Sequence, residues 1–594
     1  MPRWLLPLQS LALAVLLTWP AAATLTTQAV GSVEGDGVKH VWTLWWMRHE
    51  LLAGEPGLRT ALVNFPTGMD LWPIEPLHAP FALLPLSPVA LSNLLAVANV
   101  ALVGTCVGWL GRLVSERDAG ALVAGALAQA SSFVAFTLHV GVGELREVWW
   151  IPLGLGCLVR ARQTLAGKWF LALAAALAGA TLSCFYHGFF LATAVSLYAL
   201  ATLRPWPRLL IGYAVAAALA IAVVVPVIRG FSTSYAPADE RPRTPFLQYM
   251  GEPFSIEPYR AAAMDGAQLL GPRAGERATA DRQTLAYTGG RYLGWGTLAL
   301  ALAGLLAAPR RALPWLVVAG GGVVLSLGTV LWWGGALVEP RVVLPLAYLN
   351  RALAWVAEPM NFPARFVAVT AIALPVMASL ATRWRVVPWL VPVAMADMVA
   401  NDLVPWPRAT FALPDAGDLV APEGAVADLT PIVRARGAPA DGGGRQGASI
   451  LSNIDPESRT RGIAAQIATD RPFQTVPLER ADHWAADGLL WTSALPLARA
   501  IVGEPVGADE IAASAWLLRD RGFGAVLVTH GCGAGPDPAA AAVLDGLGER
   551  TRATCATLWP VPEVPPGDTA AWARDQEARA AALAPPRMGP QFPR

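Results

Sequence analysis

Two acids and a run of indoles stand close together near the start of the chain. Residues 31–52 read GSVEGDGVKHVWTLWWMRHELL. Asp36 is short and, when ionised, only accepts hydrogen bonds, which suits it to orient a hydroxyl or take its proton as a bond breaks. Glu34 and Asp36 form an E-x-D pair, and with further oxygen ligands the pair could hold a hard divalent cation. Asp36 also stands where a helix would begin and would make a good N-cap; a capped start would itself position the carboxylate. On a helical wheel Val38, Val41, Trp42, Trp45, Trp46, His49 and Leu52 share one face, and Lys39, Thr43 and Glu50 share another. Such a helix fits an aromatic belt at a membrane surface, the reading we prefer. The alternative sets Trp42, Trp46 and His49 against the lipid tail or sugar face of a membrane-borne substrate.

Further ionisable groups fall at the edges of apolar runs. His139, Glu144, Arg146 and Glu147 crowd one short turn, with Glu144 the best second acid and Arg146 a binding candidate. Ionisable side chains at a membrane boundary either reach toward water or serve function. In Asn361-Phe362-Pro363-Ala364-Arg365-Phe366 an arginine precedes an apolar run. Its guanidinium could grip a lipid phosphate through two N–H groups, or simply anchor the helix end. Tyr186 and His187 read as belt residues. The sequence carries no Walker loop, dinucleotide-binding fingerprint, zinc-binding H-E-x-x-H or serine elbow.

The elements that must position these groups are apolar. Hydrophobic residues make up 55% of the chain and charged ones 15%, with a mean hydropathy of +0.45; soluble domains carry roughly 25% charged residues. A net charge of +1 without a basic tract excludes nucleic acid as a partner. An apolar run at 4–23 is followed by others near 90–113, 119–138, 148–159, 169–182, 188–203, 209–228, 292–308, 313–333, 366–380 and 386–404. Together they predict an α-helical polytopic membrane protein of about 11 transmembrane helices, several shorter than the ~20 residues a lone span needs. The first run ends in Ala21-Ala22-Ala23, which also fits a signal peptide; the spans that follow favour an uncleaved one.

If Arg3 is cytoplasmic and the spans alternate, every short basic connector falls on one side: Arg112 and Arg117; Arg160, Arg162 and Lys168; Arg204 and Arg208; Arg310 and Arg311; Arg383 and Arg385. The positive-inside rule makes that side the cytoplasm of a bacterial inner membrane. The loops 24–89 and 229–291, with the Glu34/Asp36 pair, then face outward. The predicted division is 1–403 for the membrane part and 404–594 for an extracytoplasmic α/β domain. In the latter, 509–521 and 538–547 read as helices, 523–529 and 551–559 as strands in βαβ-like order, 438–447 as a linker, and 560–594 as a short helical patch with a Pro-rich tail. Cys106, Cys157 and Cys184 fall in apolar segments. Cys532 and Cys555 share the presumed oxidising side, and a disulfide between them is expected.

A family resemblance rests on an ordered series of loose motifs: an acid in the first loop, W-T-L-W-W-M-R-H-E-L-L-A-G at 42–54, N-F-P-T-G at 64–68, G-V-G-E-L-R-E-V-W-W-I-P-L at 141–153, A-Y-T-G-G-R-Y-L-G at 286–294, L-S-L-G at 325–328 and N-F-P-A-R-F at 361–366. Over about residues 1–400 this resembles the GT-C superfamily of membrane glycosyltransferases, nearest to YfhO-like and dolichyl-phosphate-mannose-protein mannosyltransferase-like bacterial proteins. The resemblance implies a GT-C fold and transfer of a sugar from a polyprenyl-phosphate donor to a glycan, lipid or protein acceptor outside the membrane. It implies that Asp36 is the family's first-loop acid, acting as base or cation ligand, and that Arg365 serves the donor phosphate. Glu-Gly-Asp stands where some relatives carry an adjacent acidic pair or D-x-D, and W-W-D-x-G is absent, which argues against asparagine-linked glycosylation. The rival is a GT-C-like frame without catalysis, a transporter or envelope-assembly factor. Transporters place ionisable groups near the midplane, whereas here the acids and arginines gather at the edges.

Overall fold

The computed structural model describes the chain apart from residues 1, 3, 34, 55–58, 61, 64, 66–67, 71–75, 203–206, 235–262, 270–289, 335, 354–361, 403, 436–455, 475–490, 564–569 and 584–594. Glu34, the linker 438–447 and the end of the tail therefore lie outside the described residues. Two compact units emerge: Met1–His40 with Ile74–Arg229 and Pro245–Phe411, and Val41–Pro73 with Gly230–Thr244 and Ala412–Arg594. The division falls inside the helix Gly37–Ala53.

In the first unit the apolar runs become helices. Pro88–Ser115, Arg208–Pro226 and Pro363–Arg383 are long and apolar enough to cross a membrane, judged by length and composition. Five shorter apolar helices are Leu5–Leu17, Gly167–Ser183, Phe185–Ala201, Trp295–Ala307 and Val387–Asn401. The expected span at 119–138 is made of two helices, Asp118–Gln129 and Ser132–Val140, which together are long and apolar enough to cross but are bent by 41°. Hydropathy sees no break there, but Ser131 accepts from the Val134 amide at 3.4 Å and starts a new helix.

Val367–Leu380 is the centre of this unit, buried along nearly its whole length. It packs on Pro88–Ser115, Asp118–Gln129, Trp295–Ala307 and Pro309–Ser326. A Cβ at Gly304 would overlap the Met377 carbonyl, so glycine there lets two helix backbones touch, as small residues do in membranes. The basic connectors bond to one another: Arg112 to Asp118 at 3.0 Å, Arg311 to Glu116 at 2.9 Å, and Arg383 to the Ala307 carbonyl at 2.7 Å. Arg162 likewise reaches the Thr202 carbonyl at 2.7 Å.

Asn93 lies near the start of the helix that carries Arg112 in its last turn. Its amide ties down the chain ahead of the first loop, accepting from Val30 N at 2.9 Å and donating to the Leu25 and Gln28 carbonyls at 3.0 and 2.7 Å. At ~1.5 Å per residue, roughly 28 Å of helix separates this anchor from the basic connectors. Val30 and Ala29 then pair with Thr410 and Phe411 as a short antiparallel ladder.

The second unit is built on a four-stranded mixed sheet, in the order Ala425–Asp428, Phe523–Thr529, Ala556–Pro560, Thr551–Arg552. Phe523–Thr529 is buried throughout, which is why it reads as an unbroken apolar run. The helices Ala508–Asp520, Pro538–Leu544 and Ala570–Leu583 match the expected helical stretches. The βαβ-like reading is corrected. The expected strand 551–559 folds back as a hairpin, and Ala556–Pro560 runs antiparallel to Phe523–Thr529. The parallel partner is Ala425–Asp428, too short to announce itself in the sequence. Cys532 and Cys555 form the expected disulfide, with Cα atoms 4.1 Å apart.

Candidate functional site

The first loop and the turn at 139–141 lie backbone to backbone. Ser32 N donates to the His139 carbonyl at 2.7 Å, and Asp36 N to the Val140 carbonyl at 2.8 Å. A Cβ on Gly35 would overlap the Val140 carbonyl, and one on Gly141 would stand 2.5 Å from Gly37 Cα. Gly141 also closes the helix Ser132–Val140 at a φ of 73°, the left-handed cap that glycine takes most readily. Two loops far apart in sequence thus bring Asp36 and the 143–147 turn into one place.

Asp36 immediately precedes the helix Gly37–Ala53, and its carbonyl accepts from His40 N at 3.2 Å. Its carboxylate, 23% exposed, faces Lys39 Nζ at 3.3 Å. One turn on, His40 Nε2 meets Glu144 Oε2 at 3.0 Å; the imidazole is 3% exposed and the carboxylate 21%. Glu144 lies in the first turn of the short helix Gly143–Arg146 and Glu147 caps its end, and each takes a histidine, Glu147 pairing with His78. Glu147 also accepts from Trp150 Nε1 at 3.3 Å. Arg146 is buried and donates to the Val30 carbonyl at 2.9 Å, so it neither snorkels nor faces solvent; it holds the strand that leads into the first loop.

A cation completes the group. The Arg365 guanidinium lies over the Tyr186 ring at 4.8 Å and over the Phe362 ring at 4.2 Å, a stacking that orients the planar fork. Among the described residues no carboxylate pairs with it. The charges of Glu144 and Arg365 both act on the Cys184 thiol, with opposite effect. Acid, histidine and arginine therefore share one end of the first unit, remote from the basic connectors.

No protein-family model matches the chain, and no curated protein matches it. Solved structures do. The chain is similar to ArnT from Cupriavidus metallidurans bound to undecaprenyl phosphate, with a TM-score of 0.41 and 12% identity over 94% of this chain and 99% of that one. It is also similar to the apo oligosaccharyltransferase of Archaeoglobus fulgidus, with a TM-score of 0.42 and 11% identity over 89% and 70% of the two chains. A third similarity is to AglB from Archaeoglobus fulgidus in complex with an inhibitory peptide and a dolichol-phosphate, with a TM-score of 0.39 and 13% identity over 88% and 69%. These are likenesses of overall trace at low identity, and the site stands on its own residues.

Two indoles of the Trp-rich face are packed inside the protein. Trp42 and Trp46 are 0% and 2% exposed, stacked at 6.0 Å, and Trp42 Nε1 donates to Gln466 Oε1 at 2.9 Å within the second unit. The supposedly polar face is buried too: Thr43 is 1% exposed, and Glu50, 6% exposed, accepts from Thr60 at 2.6 Å. Burial therefore takes Trp42 and Trp46 out of a belt, while Trp45 and His49 stay partly exposed and Leu52 is 69% exposed. His49 lies 3.5 Å from Asp470, a partly exposed pair. The E-x-D cation site cannot be assembled because Glu34 is outside the described residues; among those residues no three His, Cys, Asp or Glu side chains converge as metal ligands. His40 was missed by sequence reading, and His187, read as a belt residue, is 0% exposed. His40 follows Asp36 by four residues, a spacing that stacks both on one helix flank.

Proposed function

We propose that the chain is an integral membrane glycosyltransferase of GT-C type. It moves a sugar from a polyprenyl-phosphate donor to a glycan, lipid or protein acceptor at the outer face of a bacterial inner membrane. The observation that carries the reading is the gathering of Asp36, Glu144 and Arg365 at the end of the first unit remote from the basic connectors. Basic connectors mark the cytoplasmic side, so the acids belong to the other.

The acceptor oxygen attacks the anomeric carbon while the bond from that carbon to the phosphate oxygen breaks, and the phosphate leaves with the electron pair. Asp36 takes the acceptor proton. Arg365, with its planar fork fixed by two rings, neutralises charge growing on the leaving phosphate. Glu144, held by His40, is the second acid beside the reacting centre.

The test is sugar transfer by purified full-length protein, wild type against Asp36→Asn. Loss of a general base lowers the rate by roughly 10²–10⁴-fold. A folded Asp36→Asn protein that transfers at the wild-type rate would sink the reading.

A further inference from the structure

His187 stands in the first turn of the helix Phe185–Ala201 and is 0% exposed. Among the described residues neither ring nitrogen has a hydrogen-bond partner. The sequence places this residue in an interfacial belt, but a belt histidine would keep its polar edge in water. Leaving a polar group buried and unbonded is destabilising, so the position calls for a reason.

Its neighbours supply one. The charge of Arg365 acts on His187, and Tyr186, the preceding residue, carries the ring beneath that guanidinium. The same aromatic group walls both residues: His187 and Phe190 centroids are 6.4 Å apart, Phe190 and Phe366 4.7 Å, Tyr186 and Phe362 6.4 Å. Two helix starts meet here, that of Phe185–Ala201 and that of Val367–Leu380 behind its turn Pro363–Phe366. Both present the positive end of a helix dipole. The guanidinium has no hydrogen-bond acceptor among the described residues, and the imidazole beside it has none either. A cation and a neutral-capable donor, both unspent and walled by rings, match one chemistry: a phosphate with oxygens to share.

We propose that His187 and Arg365 form a two-point site for a phosphate group, the guanidinium taking its charged oxygens and one imidazole N–H donating to another. In either tautomer one ring nitrogen carries that hydrogen. The assignment of the phosphate to a lipid head group rests on the glycosyltransferase reading above; the contact with His187 does not.

The experiment titrates full-length protein in lipid nanodiscs with farnesyl phosphate and, separately, with inorganic phosphate, for wild type, His187→Phe and His187→Asn. Losing one hydrogen bond to a charged oxygen makes His187→Phe bind farnesyl phosphate roughly tenfold or more weakly. His187→Asn keeps an N–H donor and recovers most of that loss. In ¹⁵N-histidine protein, the imidazole signal absent from His187→Asn shifts when farnesyl phosphate is added; a packing role alone leaves it in place. Undiminished affinity in His187→Phe, or equal losses in both variants with an unmoved imidazole signal, overturns the proposal. Inorganic phosphate binding as tightly as farnesyl phosphate, with the same dependence on His187, upholds the site and removes lipid as its source. That last result defeats the donor reading while leaving His187 its phosphate.

Discussion

His40 Nε2 lies 3.0 Å from Glu144 Oε2, which ties the helix that Asp36 begins to the short helix Gly143–Arg146. The pair is the most direct link between the two acids assigned to the reaction. Glu144→Gln should lower transfer by roughly 10²-fold or more if Glu144 handles a proton. His40→Gln should change the shape of the rate-against-pH profile while leaving the thermal midpoint close to wild type. Superimposable profiles would reduce the pair to scaffolding.

The back-to-back loops give a second expectation. Gly141→Ala puts a Cβ into Gly37 and strains a left-handed cap at a φ of 73°. Strain of this kind costs about 1–3 kcal/mol. Thermal unfolding of the full chain should show a lowered midpoint, and transfer should fall with it, because Asp36 N is bonded to the adjoining Val140 carbonyl. Gly320→Ala, at a glycine with open space around it, is the control and should change neither.

In the second unit the Cys532–Cys555 bridge closes a loop with a sequence separation of 23. Restriction of the unfolded chain over such a loop is worth about 3 kcal/mol. Cys532→Ser should loosen hydrogen-exchange protection in strand Phe523–Thr529 without abolishing it. Alkylation of the wild-type protein with and without reductant should show the other three cysteines free in both cases.

Asp428, at the end of the parallel strand, gives a dependence on pH. Burial pushes its carboxyl above the usual range, opposed by hydrogen bonds from Thr430 and by the charge of Arg434. The folded carboxyl keeps its proton to higher pH than the unfolded one does. Between those two values the folded state binds more protons, so this group's contribution falls as pH rises. Its full contribution is present below the unfolded value, about 4, and is gone above the folded one. Asp428→Asn should therefore stabilise the second unit at neutral pH and flatten this part of the pH response, read by hydrogen exchange of Phe523–Thr529 in the full chain.

The strand Phe523–Thr529 and the disulfide were legible in the sequence because each is a local or compartmental signal: an unbroken apolar run, and two cysteines on one presumed side. The position of Asp36 at a helix start was legible for the same reason. The fate of the Trp-rich helix was not. Its wheel shows one aromatic face, but the burial of Trp42 on that face against Gln466, and of Glu50 on the other against Thr60, is something periodicity cannot see. The bend after Gln129 was hidden because apolar composition continues through Ser131. His187 escaped because a lone histidine beside an aromatic reads alike at a surface and in an enclosed pocket, and only packing tells them apart.

The contact of the Gly35–Gly37 backbone with that of Val140 and Gly141 has a bearing on how this chain could vary. Side chains could drift at the other positions of either loop without shifting Asp36 N from the Val140 carbonyl, but not at Gly35, Gly37 or Gly141, where a Cβ would collide with its neighbours. An insertion of even one residue could not be absorbed so quietly. Lineages descended from such a sequence would be expected to keep these three glycines and the loop length constant while the residues around them vary.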